Sequence, residues 1–149
     1  MKLASFIGAS LLVGTLFACG GGGSSTTSLY AGTWSGKGTW NIYDSNNNPI
    51  GTEATDIPTS GTVDSNGNID IKMQFGPGSG NIYDNMLGAV DANGAAGGIY
   101  WDAKDQDGTG GNQYTYTATF VRSGNGLTVT YIEAYGSDTV RGVYNLALN

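Results

Sequence analysis

Residues 30–40 read YAGTWSGKGTW. Gly32, Gly36 and Gly38 share the even positions with Trp34 and Trp40, and Thr33, Ser35, Lys37 and Thr39 fill the odd ones. Side chains of a strand alternate between two faces, so one face here carries only glycine and tryptophan. Glycine within a strand is unfavourable by roughly 0.5–1 kcal/mol relative to alanine. Three glycines beside two of the largest side chains therefore need a reason. A strand that must bend sharply, or must let a ring lie against its backbone, supplies one. The stretch reads as the first strand of a small barrel, with Trp34 and Trp40 inside and the hydroxyls and Lys37 in water.

Outward from this strand the period of two recurs. Ile69, Ile71, Met73 and Phe75 alternate with Asp70, Lys72 and Gln74. Tyr114, Tyr116, Ala118 and Phe120 alternate with Thr115, Thr117 and Thr119, and Val140, Gly142, Tyr144, Leu146 and Leu148 share a face. No window after residue 28 has a helical period. Turn signals such as DSNNNP (44–49), DSNG (64–67), DANG (91–94) and SGNG (123–126) cut the chain at short intervals. Asn-Gly supplies the positive φ that tight hairpins require. Eight strands are predicted, near 30–43, 50–63, 68–75, 82–90, 95–103, 112–122, 127–135 and 139–148. Pro58 places a bend or bulge in the second. The hairpins GTVDSNGNI, GAVDANGAA and TFVRSGNGL look alike, as shared turn chemistry at unequal spacing. With every connection hairpin-short, the expected fold is all-β: a single antiparallel eight-stranded up-and-down barrel over residues 29–149. Closure removes both sheet edges.

The chain begins differently. Lys2 is followed by an apolar run to Ala18, then Cys19, then Gly20–Gly23 and a Ser/Thr stretch to Ser28. A short positive end, an apolar core and a small residue before a cut form a secretory signal. A membrane span needs about 20 apolar residues, and this run is shorter and broken by Gly8, Ser10, Gly14 and Thr15. Leu16, Ala18 and Cys19 resemble the lipobox of the bacterial lipoproteins. That resemblance implies removal of residues 1–18, acylation of Cys19 and a palmitate-bearing anchor. Gly20 after the cysteine implies, by the same resemblance, sorting to the outer membrane. Residues 19–28 are then the lipidated cysteine and a flexible linker, and the membrane is the first expected partner.

Composition narrows the chemistry. Residues 29–149 are enough for one domain. Without Lys2, five basic and twelve acidic residues leave a formal charge of −7. Such a surface is a poor partner for nucleic acid. Histidine is absent and Cys19 is the only cysteine. Histidine-based catalysis, histidine metal sites and disulfides are excluded with them. The DAKDQD run (102–107) has carboxylates at calcium-loop spacing, but the twelfth residue of a loop starting at Asp105 is Tyr116, not a glutamate. Neither metal nor cofactor is expected. A pair of carboxylates can hydrolyse a glycoside, yet nearly all the acids fall in predicted turns or alternate outward as Asp70 does. The chain reads as non-catalytic.

Gly32-Thr33-Trp34 at the head of an eight-stranded meander resembles the lipocalin and avidin-type barrels. The resemblance implies a barrel that binds a small, mostly apolar molecule inside. In lipocalins a basic residue of the last strand covers that tryptophan, and Arg141 is the counterpart here. If residue 30 pairs with 148, however, Arg141 falls opposite Lys37 and points outward. No Asn-x-x-Gly-Ser run follows Trp34, so biotin binding is not implied. Trp34, Trp40, Tyr114, Tyr116 and Tyr144 are the candidate ligand-binding residues, with Phe120 on the same face. Two readings follow. In one, the barrel holds a small apolar or aromatic ligand. In the other, the barrel is filled and its loops bind a protein, as an inhibitor or assembly factor would.

Overall fold

The computed structural model describes residues 28–74, 83–104, 111–135 and 137–149. Residues 1–27, where the signal segment, Cys19 and nearly all of the linker are expected, lie outside them, as do Phe75 and the Asp105–Asp107 carboxylates. Eight strands run as β1 (Gly32–Tyr43), β2 (Pro49–Val63), β3 (Asn68–Met73), β4 (Tyr83–Val90), β5 (Ala95–Lys104), β6 (Asn112–Ser123), β7 (Gly126–Tyr135) and β8 (Asp138–Leu148). Each pairs antiparallel with its neighbour in sequence, and β8 pairs with β1 to close the barrel. The expected up-and-down barrel is the fold.

Closure differs from expectation in register. Trp34, not residue 30, lies opposite Leu148, so Arg141 faces Asn41 rather than Lys37. The displacement is an even number of residues, so every side chain keeps its face. Arg141 still points outward, where its guanidinium sits 4.4 Å from the Tyr43 ring and donates to Asn47.

The opening glycines divide their work. A Cβ on Gly36 would stand 2.1 Å from the carbonyl oxygen of Asn145 on β8, so two backbones approach there more closely than any side chain allows. A Cβ on Gly38 would stand 2.2 Å from the Tyr144 ring, which lies flat against β1. One glycine admits a neighbouring strand and the other admits an aromatic ring. The register of β1 against β2 shifts between Gly38 and Trp40, placing an extra residue on β2 just before Pro58. Asp56 takes a left-handed φ of 54° in that bulge. Its salt bridge to Lys37, at 3.2 Å, is exposed and contributes little.

The two ends of the barrel are unlike. Three connections at one end are tight: residues 64–67, 91–94 and 124–125. The chain enters at this end, where Ser28 donates its N–H to Ser65 O at 2.9 Å. In the 64–68 and 91–95 turns the leading aspartate accepts from the backbone two and four residues on. The 44–48 turn at the opposite end repeats the pattern, with Asn47 taking the positive φ that Gly67 and Gly94 take in the others. These bonds hold the carboxyls of Asp44 and Asp64 below their ordinary range. The largest cause is the Asn48 backbone N–H for Asp44 and the Asn68 side-chain amide for Asp64. We call the two ends the entry end and the far end.

Candidate functional site

The inward side chains form two populations. Towards the entry end the interior is apolar: Trp34, Val63, Ile69, Val90, Phe120, Leu127, Val129 and Leu146 are all buried. Tyr30 closes this mouth, its ring 5.9 Å from that of Phe120 in an edge-on contact. The indole N–H of Trp34 donates to Tyr30 O at 2.9 Å. A basic side chain does cover Trp34, but it is Arg122 of β6, 5.3 Å from the ring centroid. Arg122 also donates to Leu29 O and Gly124 O, clasping the incoming chain. Arg141 of the last strand lies away from Trp34 and points outward, as its alternation predicts.

Towards the far end the interior is aromatic and polar. The rings of Trp40, Tyr100, Tyr116 and Tyr131 lie with centroids 5.1–6.1 Å apart. The indole N–H of Trp40 donates to the Tyr144 hydroxyl. Two carboxylates are buried among them. Tyr100 donates its hydroxyl to Asp84, and Tyr131 donates to Glu133. Asp84 is 3% exposed and Glu133 5%. These two are exceptions to the expectation that nearly all the acids lie in turns or face outward. Burial is tolerated because each carboxylate receives a tyrosine hydroxyl.

Burial pushes the hydroxyls of Tyr100, Tyr116, Tyr131 and Tyr144 above the ordinary tyrosine range. Asp84 raises Tyr100 further, and the hydrogen bond to Glu133 raises Tyr131 further. All four hydroxyls therefore keep their protons at neutral pH, and those of Tyr100 and Tyr131 donate to the carboxylates. The Tyr116 hydroxyl differs: it is buried and has no hydrogen-bond partner.

The structure separates the five candidate residues. Trp34 belongs to the apolar half. Trp40, Tyr116 and Tyr144 belong to the polar half, and Tyr114 is half-buried against the core nearer the rim. Tyr100, Tyr131, Asp84 and Glu133 join them without having been singled out from sequence. Glu133 is in phase with Leu127, Val129 and Tyr131, and that phase is the signal that finds it. Trp34, Tyr131 and Tyr144 have no exposed surface, and Tyr100 has 1%. The described interior is filled by the protein's own rings.

Among the described residues four aromatic side chains are half-exposed, Tyr114 at the rim of this interior and three outside it. Tyr43 ends β1, Tyr83 begins β4, Trp101 is in the last third of β5, and Tyr114 is in the first quarter of β6. All four positions are towards the far end. Lys72 sits 5.0 Å over the Tyr83 ring. Asn85, on the outer face between Lys72 and Trp101, is buried and donates to Asp70 at 2.8 Å and to Ile71 O at 3.2 Å.

No protein-family model matches this chain, and no curated protein matches it. Among solved structures it is similar to a mutant of transferrin-binding protein B, a vaccine antigen of Haemophilus parasuis. The identity is 15%, the TM-score 0.47, and the alignment covers 79% of this chain and 26% of that one. The chain thus spans about a quarter of that structure's length. At this identity and score the likeness bears on neither activity nor partner.

Proposed function

We propose that this chain is a lipid-anchored protein of the bacterial cell envelope, tethered at the outer membrane through Cys19, with a non-catalytic barrel that binds a protein partner. The observation that carries the choice of partner is the filled interior. A small apolar guest would have to displace rings that already have no exposed surface. Recognition is then left to the outside, and aromatic residues are enriched in protein interfaces. Tyr43, Tyr83, Trp101 and Tyr114 are half-exposed towards the far end. The chain enters at the opposite end, so a tether from Cys19 leaves the far end facing away from the membrane. The buried carboxylates do not favour catalysis, because each is enclosed and bonded to a tyrosine.

Two measurements test this. Cys19→Ala should leave an unprocessed chain with no lipid label, and normal processing in that variant would remove the anchor from the proposal. Native mass spectrometry of the protein taken from its own host decides the partner class. Retained protein mass that is lost in Tyr83→Ala/Trp101→Ala, with the melting temperature unchanged, supports the reading. A retained mass of a few hundred daltons would return the function to a small ligand inside the barrel.

A further inference from the structure

Gly36 and Gly38 of the opening stretch make room for β8, and Gly32 has a different use. Its φ of 155° is one that residues with a Cβ rarely adopt. A Cβ there would also stand 2.4 Å from Leu148 Cδ1. Gly32 is the first residue of β1, so its backbone sets the direction in which the preceding chain leaves the sheet. Residues 28–31 leave it across the entry mouth and reach all three tight turns there. Ser28 donates its N–H to Ser65 O in the β2–β3 turn at 2.9 Å. Arg122, beside the β6–β7 turn, donates to Leu29 O at 2.6 Å and to Gly124 O at 3.0 Å. The Tyr30 hydroxyl lies 2.7 Å from where a Cβ of Gly94 would stand in the β4–β5 turn. The Tyr30 ring fills the mouth against Phe120, and Tyr30 O accepts the indole N–H of Trp34.

We infer that residues 28–31 are a strap that opens and closes over the apolar half as one unit, hinged at Gly32 and latched by Arg122. Three features set the strap apart from the sheet it covers. First, none of its residues belongs to a strand. Second, it is tied to itself: Ala31 donates its N–H to Ser28 O at 3.1 Å, and Tyr30 donates its N–H to Ser28 Oγ at 3.3 Å. Third, two of its bonds to the barrel run to side chains, Arg122 and Trp34, rather than to a ladder. Lifting the strap therefore breaks no strand pairing, and such an opening costs less than unfolding the barrel. Arg122 is the latch because it is exposed and holds three things together: Leu29 O, Gly124 O and the face of Trp34. When the strap lifts, Tyr30 leaves Phe120 and the Trp34 indole loses its acceptor. Water then reaches the mouth of the apolar half while the far half stays closed. The strap continues directly from the segment that follows Cys19, so a displacement of that segment is transmitted to Trp34.

The test follows hydrogen exchange at the indole N–H of Trp34 by NMR, in the isotope-labelled full-length protein. The indole N–H of Trp40 is the reference in the same spectrum. It donates to Tyr144 in the far half, so it reports opening of the barrel itself. Trp34 should exchange at least about tenfold faster than Trp40, because a local opening needs less free energy than a global one. Its rate should stay flat in low urea while that of Trp40 rises, since the strap exposes little surface on opening. Arg122→Met keeps an apolar stem over Trp34 and removes both hydrogen bonds of the latch. This variant should raise the Trp34 rate by about tenfold or more and leave the Trp40 rate unchanged. Equal rates with the same urea dependence in the unaltered protein would overturn the inference. So would a joint rise of Trp34 and Trp40 in Arg122→Met, which would make Arg122 an ordinary stabilising contact. An unchanged Trp34 rate in that variant would overturn it as well.

Discussion

The two halves of the barrel interior are built from the same alternating strands and solve burial in opposite ways. In the entry half, Trp34, Phe120, Leu127 and their neighbours need only exclude water. Its polar atoms are few, and the indole N–H of Trp34 is satisfied locally by Tyr30 O. In the far half, Asp84, Glu133 and the tyrosines Tyr100, Tyr131 and Tyr144 must be placed so that donors meet acceptors. An apolar core tolerates adjustment, because hydrophobic burial has no direction. A buried polar network does not, because one misplaced donor leaves a desolvated group unpaired. The far half should therefore be more sensitive to titration and to loss of single atoms, and the entry half to loss of volume.

The largest expected effect is alkaline. Tyr100, Tyr116, Tyr131 and Tyr144 are all raised above the ordinary value of 10.0. In the unfolded chain they ionise near pH 10, while in the folded chain they keep their protons. Above pH 10 the native state therefore binds more protons than the unfolded state, and stability falls as pH rises. Below pH 10 both states hold the protons and the contribution is fully present. Four such groups give a slope approaching about 5 kcal/mol per pH unit, enough to exhaust a stability of about 5–15 kcal/mol by roughly pH 11–13. Phenolate absorbance and far-UV circular dichroism should then change together in one transition. Tyrosines that ionise gradually while the fold persists would mean that the far half is open to water.

Next is Trp34→Ala, which probes the entry half through volume. Trp34 has no exposed surface and stacks under Arg122. Its loss should cost roughly 3–5 kcal/mol by urea denaturation, as a core truncation that the closed mouth cannot fully collapse around. The effect should be nearly constant from pH 6 to about pH 9, where no tyrosine ionises in either state. A cost below about 1 kcal/mol would show that the Tyr30 closure is loose and the halves are not distinct.

Strand spans and faces were legible because their signals are local. Period-two alternation and the Asn-Gly turns placed β7 at 127–135, against Gly126–Tyr135 in the structure. The closing register was not legible. Whether residue 30 or Trp34 meets Leu148 depends on the summed stagger of all eight strands, which no single segment encodes. For the same reason the cation over Trp34 comes from β6 rather than β8. Burial of Glu133 can be read from its phase with Val129 and Tyr131, and burial of Asp84 from its phase with Met86 and Val90. The Asp84 pairing with Tyr100 is different, because it needs the β4–β5 register, which brings Met86 opposite Tyr100.

The finest test compares two tyrosines of the far half that differ by one hydrogen bond. Tyr100 donates to Asp84, and Tyr116 donates to nothing. Both are buried, at 1% and 4% exposure, and both rings pack in the same aromatic cluster. Replacement by phenylalanine keeps the ring and removes only the hydroxyl. Tyr100→Phe takes a donor from a buried carboxylate and should cost about 1–3 kcal/mol. Tyr116→Phe removes a hydroxyl whose desolvation nothing offsets, and should raise stability by about 1 kcal/mol. Its oxygen sits 2.9 Å from where a Cβ of Gly88 would stand, so the missing side chain of Gly88 is what leaves the hydroxyl room. Equal losses from the two variants would show that the Tyr116 hydroxyl has a partner in solution. The far half would then be an occupied site rather than a sealed core.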